Sequence, residues 1–250
     1  MIEDIWVDSA VSALRPDFAV LVMGVYGLRN GATDDRSRSW LAEAAEKAVA
    51  ADDPKVEAWR DAYRAFGAKP QRTRPSVDAL VRRMPLPEIN LVVDAYNAIS
   101  VRHGLPIGGE DLGHYEGTAR LIRATGDESF EIVEKAERRA GCERASGERS
   151  ESRANECPSE RDHEPVPAID HPEIGEVVWR DDRGVTCRRW NWRQCVRTRI
   201  TEETTDALFL LERLAPMSME ELDAAGKELV KMLEEITPGI RVESRLVGHG

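Results

Sequence analysis

Cysteine is scarce in this sequence, and its spacing does not suggest a metal site. The four cysteines form no CxxC pair and have no histidines at ligand spacing, which argues against a structural zinc site. No metal and no other cofactor is therefore expected. A disulfide is also disfavoured in a cytosolic chain. We expect all four to be reduced and partly buried: Cys142, Cys157, Cys187 and Cys195.

Long hydrophobic runs are missing as well. The longest apolar stretch, residues 18–25 (FAVLVMGV), has the length of a buried strand and is too short to cross a bilayer. The first ten residues, MIEDIWVDSA, are acidic where a signal peptide is basic, so no export and no membrane partner are expected. A hydrophobic content of 41% and a mean hydropathy of -0.47 are typical of a soluble globular protein, which we expect in the cytoplasm.

Positive charge is in deficit overall but not everywhere. The formal net charge of -11 argues against non-specific binding to a polyanion such as DNA. Between Arg180 and Arg199, however, seven arginines face only two acids, Asp181 and Asp182. This local excess favours phosphate or carboxylate contacts, although a bias toward arginine can also reflect base composition.

The periodicity predicts helices and strands in an irregular order. Residues 3–28 predict two strands joined by a turn at Arg15-Pro16-Asp17, and a hairpin and two further strands are expected at 175–190, 206–213 and 240–247. Helices are predicted at 38–51, 54–66, 76–84, 89–103 and 217–236. Because no regular βαβ repeat is present, the expected class is α+β.

The segment 134–165 differs in composition from the rest of the chain. It contains no Leu, Ile, Val, Met or aromatic residue and is dense in Glu, Arg and Ser. Nothing in it could offset the conformational entropy lost on ordering. We therefore expect a disordered or loosely ordered charged insertion, which also contains Cys142 and Cys157.

Three stretches resemble a known family. They are RPS at 74–76 with RR at 82–83 and PEIN at 87–90; VVDAYN at 92–97 with GLPIGGEDL at 104–112; and CRRWNWRQC at 187–195 with TEET at 201–204. In this order they resemble the stand-alone B3/B4 domains, which are similar to the tRNA-editing module of the phenylalanyl-tRNA synthetase β subunit. The resemblance implies one domain over 1–250, with mixed β-sheets flanked by helices and the 134–165 insertion within it.

The resemblance also implies positions for a site. In the synthetase the module hydrolyses tyrosine wrongly esterified to the phenylalanine tRNA, and the family's helix asparagine falls on Asn97. The family's histidine falls near Gly108 and its acidic reader of the tyrosine hydroxyl near Leu210, so both are absent here. These departures leave ester hydrolysis open but argue against tyrosine as the ligand.

The GLPIGGED string could form a hydrolytic turn. An aminoacyl ester is reactive enough to be cleaved without a nucleophilic triad if a site holds it, positions water and offers donors to the oxyanion. Glycines allow close backbone approach, and an acid could bind the α-ammonium or act as general base. A tight turn whose acids cap the next element is the plain alternative. The candidate catalytic residues are Asn97, Gly108, Gly109, Glu110 and Asp111.

The string at 188–195 could contact substrate or RNA. As a strand it would place Arg189, Asn191, Arg193 and Cys195 on one face and the two tryptophans on the other. Tryptophans there could stack on a base or belong to the core. Cys195 has no histidine near it in sequence, which disfavours covalent catalysis. The candidate binding residues are Arg74, Arg82, Arg83, Arg188, Arg189, Trp190, Asn191, Trp192, Arg193, Gln194 and Cys195.

Three functions therefore remain open from the sequence. The favoured one is trans-acting editing, in which the ester of a mischarged tRNA is hydrolysed without an attached synthetase. A non-catalytic module that binds tRNA or an amino acid is the second, favoured by the missing histidine and the acidic total. Transfer of the aminoacyl group to a small molecule is the third. The expected partner is tRNA or aminoacyl-tRNA, and the expected state is a monomer or weak homodimer.

Overall fold

A computed structural model describes residues 2–134 and 166–248. The predicted insertion at 134–165 lies outside the described residues except for Glu134, which ends a strand. Cys142, Cys157 and His163 lie outside them too. None of the helices in the described part combines the length and hydropathy that crossing a bilayer requires.

The chain alternates irregularly between helices and strands. The helices are α1 (Ser9–Leu14), α2 (Asp35–Glu46), α3 (Pro54–Ala65), α4 (Ser76–Val81), α5 (Leu91–His103) and α6 (Met219–Ile236). The strands are β1 (Trp6–Val7), β2 (Ala19–Tyr26), β3 (Ile107–Asp111), β4 (Arg120–Arg123), β5 (Phe130–Glu134), β6 (Val166–Asp170), β7 (Val177–Arg180), β8 (Val185–Arg188), β9 (Arg193–Gln194), β10 (Asp206–Arg213) and β11 (Arg241–Val247).

The strands form two sheets. One is antiparallel, with four strands in the order β11-β2-β10-β3. The other is mixed, with the order β1-β4-β7-β8-β5-β6 and with β9 paired to β8. The α+β fold with mixed sheets flanked by helices is thus confirmed.

The antiparallel sheet lies in the middle of the molecule, because both of its faces are buried. Strand β10 shows this by alternation: Phe209 and Leu211 pack in the cluster that contains α5 and α6, whereas Leu208 and Leu210 pack in the cluster that contains Trp59. The second cluster also takes side chains from β4, β7 and β8. Since burying one large apolar side chain stabilises by about 1.5–3 kcal/mol, both layers are held firmly against the central sheet.

Helix boundaries follow the capping signals of the sequence. Asp53 caps α3, with Pro54 at its first turn. Ser218 and Glu221 form both hydrogen bonds of the predicted capping box at α6. Helix α5 ends at Gly104, whose φ of 75° is the left-handed conformation expected there.

Of the first predicted strand, only Trp6–Val7 is confirmed, as the short strand β1. Residues 9–14 form helix α1, because the side chain of Asp8 accepts a hydrogen bond from the backbone N–H of Ala10 and caps the helix. Only Val11 of this helix is buried. One buried residue in six gives neither a helical nor a strand periodicity that the sequence could reveal. The second strand of the pair is confirmed as β2.

Candidate active site

A cavity of about 260 Å³ opens between the central sheet and the mixed sheet. Five elements contribute most of its wall: β3 and β10 of the central sheet, helices α4 and α5, and the hairpin that follows β8. Its lining is mostly apolar with a few polar groups, as in many small-molecule sites. The lining residues are Ser76, Ala79, Leu80, Tyr96, Asn97, Ile107, Gly108, Glu110, Trp179, Cys187, Trp190, Asn191, Trp192, Arg193, Gln194, Leu210 and Glu212.

The predicted Gly108-Gly109 turn is in fact part of strand β3, which pairs antiparallel with β10. The prediction of a turn is therefore wrong. A glycine pair is typical of turns, but here each glycine is explained by the residues that pack around it in the sheet. Strand alternation places Gly108 and Glu110 on the cavity face and Gly109 on the opposite face. Asp111 also lies away from the cavity, where it accepts a hydrogen bond from Thr204 Oγ1 at 2.6 Å.

The two glycines differ in the space around them. A Cβ atom on Gly109 would lie 2.7 Å from Tyr96 Cε1 and 2.9 Å from Ile200 Cδ1, so this position must be glycine for α5 to pack on β3. A Cβ atom on Gly108 would meet only Leu210, at an ordinary 3.8 Å. Gly108 therefore leaves open space in the cavity that a side chain would fill.

Glu110 is the acid on the cavity face of β3. It is 1% exposed, and the hydroxyl of Tyr115 donates a hydrogen bond to its Oε2. Burial raises the pKa of Glu110 to about 7, although hydrogen bonds from Tyr115, Thr186 and Thr198 act in the opposite direction. At neutral pH this carboxyl is therefore divided between its ionised and protonated forms, which suits a general base.

Glu212 is a second buried acid in the same cavity and was not identified from the sequence. Its Oε1 accepts a hydrogen bond from Trp179 Nε1 at 2.7 Å, and its Oε2 accepts one from Asn191 Nδ2 at 2.7 Å. Burial raises the pKa of Glu212 to about 8, so the group is mainly protonated at neutral pH. In the sequence, the only feature that marks Glu212 is its position as an acid near the end of the apolar strand ALFLLER.

Helix α5 contributes two polar side chains to the cavity wall. Asn97 is 7% exposed and Tyr96 is 9% exposed. Neither side chain makes a hydrogen bond to another described residue, while the ring of Tyr96 packs edge-on against Phe209. The amide atoms of Asn97 are not among the buried unpaired atoms of the described residues, so they reach the open space of the cavity and are available to a ligand or water.

The 188–195 string is a tight hairpin, and the predicted single strand is corrected. Backbone φ angles of 47° at Arg189 and 69° at Trp190 reverse the chain between β8 and β9. The reversal brings Cys187 opposite Gln194. The arginines and the tryptophans of this string therefore do not lie on opposite faces of one strand, as predicted. Trp190 is fully buried and packs on Phe18 and Trp59, which places it in the core.

A match to a family model covers most of this architecture. The model described as the B3/4 domain matches residues 58–238, which contain every element that lines the cavity. The chain belongs to the B3/B4 domain family. No curated protein sequence matches it significantly.

A solved structure is similar to this chain at low sequence identity. An N-terminal fragment of the phenylalanyl-tRNA synthetase β subunit from Pyrococcus horikoshii is similar, with 13% sequence identity and a TM-score of 0.43. The similarity covers 97% of this chain and 50% of that fragment. The chain thus spans about half the length of the structure it matches.

The positions implied by the family resemblance meet in the cavity. Asn97, Gly108 and Leu210, the positions near which the resemblance puts the family's asparagine, histidine and acid, all line it. Glu212 lies two residues beyond Leu210 on the same face of β10, so the B3/B4 domain still has an acid in this part of the cavity. The absence of an acid at Leu210 does not leave the site without one.

The candidate arginines of the B3/B4 domain fall into two groups. Four are held by carboxylates: Arg188 by Glu176 and Asp170, Arg189 by Glu173 and Glu176, and Arg74 and Arg82 by Asp78. Arg83 and Arg193 are exposed and make no ion pair with another described residue. Arg193 lines the cavity and is therefore the candidate placed to meet an anionic ligand at its mouth.

The remaining candidates have other surroundings. The side chain of Gln194 donates a hydrogen bond to the carbonyl of Gly109 at 2.6 Å, which ties β9 to β3. Cys187 and Cys195 are buried free thiols, and burial raises the pKa of both, which disfavours the nucleophilic thiolate. Among the described residues, no group of three His, Cys, Asp or Glu side chains could hold a metal ion.

Proposed function

We propose that this B3/B4 protein is a trans-acting editing enzyme that hydrolyses the ester of a mischarged tRNA. The cavity would receive the aminoacyl group while the tRNA remains outside. One observation carries the proposal: Asn97, whose amide has no partner among the described residues, and Glu110, with a pKa of about 7, line the same small cavity. These two groups supply a donor and a base, which are the functions that ester hydrolysis requires.

The reaction follows from these groups. The ionised form of Glu110 takes a proton from water as the water oxygen attacks the ester carbonyl. The amide of Asn97 donates a hydrogen bond to the oxyanion that forms. Collapse of the tetrahedral intermediate breaks the bond to the ribose oxygen, and that oxygen recovers the proton from Glu110. Free amino acid and intact tRNA are released.

RNA would approach along the hairpin at 188–195. Arg193 lies at the cavity mouth. A separate polar groove of about 260 Å³ is lined by Lys69 and Arg72, and by Arg189 with its carboxylate partners Glu173 and Glu176. The guanidinium of Arg189 stacks on Trp192 at 4.6 Å from the ring centre. The cations Arg193, Lys69 and Arg72, together with this aromatic ring, suit the phosphates and bases of a single-stranded RNA end.

A second function, a binding module without catalysis, is favoured by the enclosure of Glu110. Its carboxyl is 1% exposed and already accepts the hydroxyl of Tyr115. A base so confined meets water only if the cavity admits it. In this alternative the same cavity binds the amino acid without cleaving the ester.

Single-turnover deacylation of a panel of mischarged tRNAs separates the two functions. The editing proposal expects at least one substrate to be hydrolysed well above the spontaneous rate. Asn97→Ala is expected to lower that rate by roughly ten- to a thousandfold, because a lost oxyanion donor has a cost of this size. If tRNA binds but no member of the panel is cleaved, the binding module replaces the editing enzyme.

A further inference from the structure

Two of the residues that line the cavity each have a buried polar atom with no hydrogen-bond partner among the described residues. These atoms are the indole Nε1 of Trp190 and the hydroxyl of Ser76. Trp190 is fully buried, and both residues line the cavity. The other two unpaired buried nitrogens of the described chain are Arg36 Nε and Arg197 Nε, whose guanidinium groups form other hydrogen bonds. The neutral unpaired groups therefore both belong to residues that line this cavity.

Leaving such donors unpaired is costly, because a buried N–H or O–H loses its bonds to water on folding. The side chain of Asn191, the next residue after Trp190, already has other partners. Asn191 Oδ1 accepts from the hydroxyl of Tyr63 at 2.9 Å and from the backbone N–H of Ser76 at 3.4 Å. Asn191 Nδ2 is used in the bond to Glu212. The missing partner is thus an acceptor that enters the cavity from outside the described chain.

The chemistry of this acceptor follows from the charges around it. Indole nitrogen is only a donor, so the ligand must present a lone pair to it. Glu212, mainly protonated because burial raises its pKa to about 8, adds a third donor. An ionised carboxylate in the ligand would face Glu110 and Glu212, and the cationic lining residue, Arg193, is exposed at the rim. A neutral oxygen fits the cavity better than a charged one.

We propose that Ser76 and Trp190 form a specificity site that selects an aminoacyl group whose side chain carries a neutral oxygen, either a hydroxyl or a carboxamide. The identity of the ligand as an aminoacyl group rests on the proposed function. A purely aliphatic or aromatic hydrocarbon side chain fills the same volume but leaves both donors unpaired. The two unpaired donors therefore disfavour binding of a hydrocarbon side chain.

The test compares tRNAs charged with matched amino acids that differ in this oxygen. The pairs are threonine with valine and asparagine with leucine. In at least one pair the oxygen-bearing member should be deacylated at least about tenfold faster at limiting enzyme, since a site that hydrogen-bonds a hydroxyl rejects an analogue lacking it. A ratio near one, or a preference for the apolar member, in both pairs overturns the proposal.

Variants then assign the preference to these residues. Ser76→Ala and Trp190→Phe should each bring the ratio of the preferred pair toward one, and Ser76→Thr, which keeps the hydroxyl, should retain it. Partial unfolding lowers both rates of a pair equally, so the ratio reports recognition and not stability. Trp59→Phe is the matched control, because Trp59 packs on Trp190 without lining the cavity. An unchanged ratio in both Ser76→Ala and Trp190→Phe overturns the assignment.

Calorimetry with amino-acid amides separates this inference from the proposed function. The two pairs, threoninamide with valinamide and asparaginamide with leucinamide, contain no ester. If no tRNA is deacylated but the oxygen-bearing amide of a pair binds more tightly, hydrolysis fails and the specificity site stands. If deacylation occurs with no preference in any pair, the specificity site fails and hydrolysis stands.

Discussion

Glu110 and Glu212 lie on the same face of neighbouring strands, with the Gly108–Leu210 pair between them. Glu110 is opposite Leu208 in the β3–β10 ladder, and the backbone N–H of Glu212 donates to the carbonyl of Pro106 at 3.0 Å. Because Gly108 has no side chain, the space between the two acids stays open. The missing side chain at Gly108 leaves room for the cavity. The surrounding elements bury both carboxyls at its wall.

The first prediction concerns stability against pH. Both acids have pKa values in the folded protein, about 7 and about 8, above the value near 4.5 of an unfolded glutamate. Between pH 4.5 and 8 the folded protein therefore binds more protons than the unfolded chain. Their contribution to stability is complete below pH 4.5 and declines as the pH rises, by up to about 1.4 kcal/mol per pH unit for each group.

Glu212→Gln removes one of these ionisations. The free energy of unfolding of the variant, relative to wild type, should increase as the pH rises from 5 to 8 in a series of urea titrations. Glu203→Gln, on an exposed residue, is the matched control and should run parallel to wild type. A Glu212→Gln profile that is also parallel to wild type would show that Glu212 ionises normally.

The second prediction fills the cavity. A valine at Gly108 suits a β-strand and meets only Leu210, so folding should be retained. Its side chain would occupy the space of the aminoacyl group, and single-turnover deacylation should fall by roughly a hundredfold or more. Gly31→Val is the matched control, since a Cβ atom there meets only Leu91 at 3.7 Å and lies outside the cavity lining. A wild-type rate in Gly108→Val would place the reaction elsewhere.

Gly109 gives the contrasting result. Even an alanine there would strike Tyr96 and Ile200, so Gly109→Ala should lower the melting temperature instead of affecting the site alone. A Gly109→Ala protein as stable as wild type would contradict the packing argument. The two neighbouring glycines thus separate loss of space in the cavity from loss of the fold.

How far the sequence determines these features differs between the fold and the site. Local signals located α3, α6 and β10, because caps and periodicity act within a few residues of one another. The Gly108-Gly109 pair was misassigned because its reason is tertiary: Tyr96, on a different element, requires the absence of a side chain at Gly109. Glu212 is not identifiable from the sequence for a similar reason. Its partner Asn191 reaches it through a hairpin that depends on two residues in the left-handed conformation, and no sequence pattern predicts that conformation there.

The third prediction concerns RNA binding. If Arg193 and Arg83 contact phosphates, Arg193→Ala and Arg83→Ala should each reduce the slope of log affinity for tRNA against log salt by about one. Arg241→Ala is the control, because Arg241 lies on β11, at the edge of the central sheet opposite β3. Filter binding between low and moderate salt measures the slopes. If the protein has no affinity for tRNA at low salt, tRNA is not its partner.

The fourth prediction tests the insertion. Strands β5 and β6 pair antiparallel up to Glu134 and Val166, so the two ends of the segment 135–165 are already adjacent. Replacing it with Asn-Gly, which favours a two-residue hairpin turn, should leave a single cooperative melting transition. An insoluble or unfolded product would show that residues of the segment contribute to the core, contrary to their composition.

The last prediction assigns the general base. Glu110, with a pKa of about 7, would be ionised progressively between pH 6 and 8, so the single-turnover rate, corrected for spontaneous hydrolysis, should rise over this range and then level off. Glu110→Gln should abolish the rise and lower the plateau by roughly a hundred- to ten-thousandfold. The control is Glu203→Gln, which should reproduce the wild-type profile.

Tyr115 provides the decisive variant, because it contacts Glu110 without lining the cavity. Its hydroxyl donates a hydrogen bond to the carboxyl and holds the pKa of Glu110 below the value that burial alone would give. Tyr115→Phe should therefore move the midpoint of the pH–rate profile upward while the plateau at high pH is largely retained. A residue with a merely structural role would lower the rate equally at every pH. If Tyr115→Phe leaves the midpoint in place, the titrating group is not Glu110, and the base must be sought elsewhere in the cavity.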